Sequence, residues 1–312
     1  MSATLIAVIF ALVLGHLAPG FAASVRQYDW FGVWLRWLSA RGAAPVDTDA
    51  DEDAGFWRGR YGIALALLPP VLLVGLFQFA LHTPLAGVVG LLFGVAVLFY
   101  VWGPRDLDVD VAAVVDAEDP SSRRAAAIRL GAAHADAGPG EAAALVEGVF
   151  ASALRRWFGV LFWFLLLGAA GAALYRLAAL AAEGEFADAL PASTREGARR
   201  CFAMLNWPVA QAMTLSLALV GNFDTVLGVW RDANGASLQL DHAHLGAAAR
   251  ASVRCEIAEE AQEFIEEGAT PGNAWVQLGE APELRDAMSL VWRILLLWLA
   301  ILALFVVAGW VS

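Results

Sequence analysis

Residues 155–177 read RRWFGVLFWFLLLGAAGAALYRL, a mostly apolar run bounded by arginines at both ends. A bilayer-crossing helix needs about 20 such residues, and arginine and tryptophan at its ends suit the headgroup layer. The stretch therefore predicts a membrane helix over 157–180. Composition agrees: of 312 residues, 60% are hydrophobic and 16% charged, and mean hydropathy is +0.62. A soluble domain is about 45–50% apolar. The net charge of −11, with no lysine at all, argues against a nucleic-acid partner, which requires a clustered basic face.

Working outward, further apolar runs predict spans at 3–17, 61–81, 85–102 and 290–311. The segment 203–220 is weaker, because Asn206, Pro208, Gln211 and Thr214 interrupt it. It reads as a polar-lined span, a re-entrant segment or an interfacial helix, with the span preferred. The expected architecture is all-α and polytopic, one domain over 1–312 with about five to six transmembrane helices and soluble helical segments at 103–156 and 221–289. The run 3–17 is read as a retained span rather than a signal peptide, because little positive charge precedes it.

In 25–41, Trp30, Trp34 and Trp37 recur at i, i+4 and i+7 beside Arg26, Arg36 and Arg41, which predicts an interfacial helix. Pro69-Pro70 predicts a kink within 61–81. Breaks at Asp119-Pro120 and Gly138-Pro139-Gly140 predict three helical pieces within 103–156. Arginines crowd the 18–60 and 103–157 loops, which assigns both to the cytoplasmic side. Arg195, Arg199 and Arg200 count against six spans, since that count leaves them outside.

Recognisable chemistry is sparse. The acidic loop 46–55 lacks the glycine and the final glutamate of a calcium loop. Cys201 and Cys255 form no CxxC pair. His242 and His244 lie two residues apart, pointing to different faces of a helix rather than converging on a metal, and are read as an exposed turn. No metal site is expected. Gly168 and Gly171 suit a close helix contact in the membrane.

The block Arg156-Trp157-Phe158-Gly159-Val160-Leu161-Phe162-Trp163, continuing to Leu177, resembles the AmpE family, within the wider cobalamin-biosynthesis-like CobD/CbiB family. Leu205-Asn206-Trp207-Pro208-Val209 and the Trp/Arg-rich helix add to the likeness. The resemblance implies a bacterial inner-membrane regulatory modulator linked to β-lactamase induction and cell-wall stress. It also implies the lipid bilayer and a membrane or cell-wall-related protein as partners, and no cofactor. The synthase branch resembles ESVAENLxDGVVAPLFW at this point. Aligning its LFW on Leu161-Phe162-Trp163 puts Glu147 on the first glutamate, while Ala151, Ser152 and Arg155 replace the next acidic and amide positions. AALAAEGEF replaces the following synthase segment, so catalysis is not expected.

Candidate residues for surviving chemistry are Glu147, Ser152 and Arg155. Arg155, Arg156, Arg176, Asn206 and Gln211 are candidate ligand-binding groups. One alternative is an ATP–magnesium-dependent amide ligase of the adenosylcobinamide-phosphate synthase type, in which Glu147 meets other acids near Arg155 or Arg156. A second is a transporter component, with a polar cavity around Asn206 and Gln211.

Overall fold

The computed structural model describes residues 5–11, 25–41, 59, 61–81, 87–102, 107–132, 140–233, 235, 237 and 240–308. Outside them lie the acidic loop 46–55, the expected 82–84 turn, and parts of the expected spans at 3–17 and 290–311. Among the described residues all regular structure is helical, so the protein is all-α. After a helical stretch at residues 5–11 come α1 (Asp29–Arg41), α2 (Gly62–Ala80), α3 (Gly87–Val101), α4 (Leu107–Val115) and α5 (Pro120–Arg129). Next come α6 (Glu141–Ala153), α7 (Gly159–Leu167), α8 (Ala169–Ala182) and α9 (Ala192–Val220), and then α10 (Phe223–Asp232), α11 (Ala243–Glu266), α12 (Pro271–Gln277) and α13 (Pro282–Val307).

Four helical stretches are long and apolar enough to cross a membrane: Gly62–Ala80, Glu141–Leu167, Ala192–Val220 and Pro282–Val307. Gly87–Val101 and Ala169–Ala182 are apolar but shorter. On α2, Leu65, Leu68, Leu72, Leu73 and Leu76 are exposed, as expected of a helix long and apolar enough to cross a membrane.

The opening stretch is not one helix. Residues 141–167 form a continuous run through a π-helical turn at Leu154–Phe158, so the expected soluble segment 103–156 gives its last part to a membrane-length helix. The expected span 157–180 is then divided at Gly168, whose φ of 68° and ψ of −152° suit a residue without a Cβ. The chain folds back there: Gly171 lies against the carbonyl of Trp163, eight residues earlier, a contact impossible along a straight helix. The amide of Gln78 holds this break. Its Nε2 donates to Leu167 O (3.2 Å) and its Oε1 accepts from Ala170 N (3.0 Å). Within a bilayer the freed backbone groups would have no alternative partner. Gln78→Leu strands both and is expected to cost about 1–3 kcal/mol, read as a lower midpoint in detergent-mixed unfolding. An unchanged midpoint would show that the latch contributes nothing.

The chain divides into two compact units, residues 1–104 with 159–206, and 105–158 with 207–312. In the first, α8 packs against α2, α3 and α7, and its buried Gly171, Ala172, Ala173 and Ala178 allow close approach. The C-terminal end of α3 leaves carbonyls without helical partners. Arg26 Nε donates to Phe99 O (3.0 Å), Tyr28 OH to Tyr100 O (2.8 Å) and Arg176 Nε to Val101 O (3.0 Å). Two guanidinium groups thus sit at the negative end of the helix dipole. On α2, Pro70 has no N–H and leaves Ala66 O free. Trp34 Nε1 donates to that oxygen at 3.1 Å, so one tryptophan of the expected interfacial face repairs the proline defect.

In the second unit α6 packs against α11 and α13. The buried Leu145, Val149 and Phe150 of α6 belong to this core, as do Ala248, Ala249 and Val253 of α11 and Leu290, Val291 and Ile294 of α13. Asp119 caps α5, accepting from Ser121 N (3.0 Å) and Ser122 N (2.9 Å), which explains the break foreseen at Asp119-Pro120.

Candidate functional site

The polar residues singled out in the sequence are placed in different surroundings, and most are committed to internal bonds. Ser152 is fully buried and donates to Leu130 O (2.8 Å). Arg156 is held internally: its Nη1 pairs with Asp110 Oδ2 at 2.5 Å and its Nη2 donates to Arg129 O at 2.9 Å. Asp110 is itself 2% exposed. Arg155 Nε donates to Ala151 O (3.2 Å).

Arg176 and Asn206 belong to the first unit, and Glu147 belongs to the second. Arg176 is bound to Val101 O as described above. Asn206 is buried and its Oδ1 accepts from Tyr175 OH at 2.5 Å. Gln211 donates to Gly235 O (2.6 Å) and accepts from Trp230 Nε1 (3.0 Å), tying the segment after α10 to α9. Asn206 and Gln211 thus serve as structural ties.

Glu147 is different. On α6 it borders a cleft of about 570 Å³ within the second unit, shared with Asp241, His242, His244 and Arg250. Its Oε1 pairs with Arg250 Nη1 at 2.5 Å. Gly246 permits the approach of α11, since a Cβ there would lie 3.0 Å from Glu147 Cγ. Gly131 lines the same cleft, and the Arg155 guanidinium lies close against it.

The histidines depart from the exposed-turn reading. His242 stands at the N-terminal boundary of α11 without a side-chain capping bond, and His244 is 5% exposed, its Nε2 without a hydrogen-bond partner. Burial, first, and the neighbouring His242 lower its pKa from the ordinary 6.5, because a buried imidazole resists taking a charge. In the unfolded chain His244 protonates near the ordinary value, whereas the folded protein holds it neutral to lower pH. Its contribution to stability is therefore complete above about pH 6.5 and is lost as pH falls below that value. The unfolding midpoint should decline between about pH 7 and about pH 5.5, and less so in His244→Leu. Equal declines in the two proteins would remove His244 as the cause.

Among the described residues no group of three or more His, Cys, Asp or Glu side chains could hold a metal ion. The cleft can instead offer an acid, a guanidinium and a neutral imidazole to a polar small molecule. Sequence reasoning missed Arg250, although its position four residues after Gly246 puts both on one face of α11. It also missed Asp110 as the partner of Arg156, a pairing across 46 residues with no local signal. Comparison with protein-family models, curated proteins and solved structures found no match.

Proposed function

We propose that this chain is a multi-pass bacterial inner-membrane protein that acts as a regulatory modulator of the AmpE kind, tied to β-lactamase induction and cell-wall stress. The count of five to six spans adds α3 and the 3–17 segment to the longer helices. Its partners are the bilayer and a membrane or cell-wall-related protein, and it needs no resident cofactor. The role itself comes from the resemblance around 156–177 and 205–209. One observation supports a sensing form of it: Glu147 faces a cleft from α6, a helix that runs on through the π-helical turn into the apolar Gly159–Leu167. An occupant that shifts α6 acts on the run Glu141–Leu167, which taken whole is of membrane length.

The test is deletion of the gene in a bacterium with an inducible β-lactamase, followed by complementation. Deletion should change induction, the wild-type gene should restore it, and Glu147→Ala should not. Unchanged induction on deletion would overturn the reading.

A second reading, an ATP–magnesium-dependent amide ligase of the synthase type, draws support from the same Glu147, which occupies the first glutamate position of that pattern. Specific ATP–magnesium binding to the purified protein, lost in Glu147→Ala and Arg155→Ala, would favour it. The internal bonds of Asn206 and Gln211 weigh against a transporter.

A further inference from the structure

The cleft beside Glu147 has the proportions of a small-molecule site, its volume of about 570 Å³ falling within the usual range of about 300–1,000 Å³. Small residues make room in its walls: Ala144, Gly148 and Ala151 on α6, and Ala247 on α11. Glu147 and Arg250 are 42% and 39% exposed, so their pair is partly wet, worth only about 0–1 kcal/mol, and easily opened. An occupant with a single charge would pair with one of them and strand the other. An occupant bearing both charges replaces one exposed pair with two enclosed ones. Asp241 borders the same space and makes it inhospitable to a simple anion. His244, almost fully buried in the wall, leaves Nε2 unsatisfied, and a buried polar group without a partner is costly.

We propose that this cleft binds a zwitterion of amino-acid or dipeptide size, its ammonium on Glu147 and its carboxylate on Arg250. This rests on the sensing reading above and names the class of molecule sensed.

The test uses the full-length protein in detergent, titrated calorimetrically and by thermal shift with L-alanine and L-alanyl-L-alanine. The controls are N-acetyl-L-alanyl-L-alanine, which lacks the ammonium, and L-alanyl-L-alanine amide, which lacks the carboxylate. At least one zwitterion should bind and raise the unfolding midpoint. Blocking either end of the dipeptide, or using acetylated alanine or alanine amide if the single amino acid is the binder, should weaken binding about tenfold or more. Glu147→Gln should erase the penalty for the missing ammonium, and Arg250→Gln that for the missing carboxylate.

Equal binding of blocked and unblocked compounds, or binding of none, would overturn the proposal, and both results come from the wild-type protein alone. No zwitterion binding alongside altered induction on deletion would sink the ligand class and leave the regulatory reading standing. Zwitterion binding with unaltered induction would do the reverse.

Discussion

Asp110→Ala is expected to lower stability by about 3 kcal/mol or more, read as a shifted midpoint in detergent-mixed unfolding. Asp110 is 2% exposed and its partner Arg156 carries a side chain 14% exposed, so removing the carboxylate leaves a guanidinium largely withdrawn from water without its counter-charge. Arg129 O still accepts from Arg156, but a carbonyl does not neutralise a cation. The double variant Asp110→Leu/Arg156→Met removes both charges and should recover most of the loss, because apolar replacement of a whole buried pair is far milder than breaking it. A single variant within about 1 kcal/mol of wild type would place this pair in the class of weak exposed bridges.

Gly159→Ala should be nearly as damaging, at about 3 kcal/mol, the upper part of the range for overpacking. The added Cβ would overlap the hydroxyl-bearing end of Tyr175, which is fully buried and hydrogen-bonded to Asn206. The ring cannot swing away without giving up that bond and its tilted contact with Phe202, 5.5 Å between centroids. Tyr175→Ala alone should cost about 3–5 kcal/mol as a cavity. Because the cavity admits the new methyl, the double variant should be more stable than the sum of the single losses, by about 1 kcal/mol or more. Strict additivity of the two losses would mean that residues 159 and 175 do not contend for the same space.

The helical class was legible because apolar blocks of membrane length and the absence of sustained alternation are local properties. The break at Asp119-Pro120 was legible for the same reason, since an aspartate cap and a first-turn proline act within four residues. The division at Gly168 was not. Within LLLGAAGAALYRL alanine favours helix on both sides, and a lone glycine costs an apolar helix only about 1 kcal/mol. What turns the chain is the partner beyond it, Gln78, which is 90 residues away and reads locally as one polar residue in a lipid-facing helix. Arg156 was equally opaque: an arginine beside tryptophan at the edge of an apolar run has the pattern of a headgroup anchor, and only Asp110 on α4 makes it an internal ion pair.

What the sequence by itself determined about this protein is its helical character, with helices long and apolar enough to cross a membrane. Hydropathy over a window, proline positions and capping residues act through neighbours within a turn or two, and no distant contact is required to read them. The tertiary structure alone decided where the helices turn back and which polar groups are consumed as internal ties. It also brought Glu147, Arg250 and His244 to one cleft. The turns and the internal ties depend on pairings across roughly 20 to 90 residues, selected by the cost of leaving a buried polar group unsatisfied, and that cost does not exist until the helices pack.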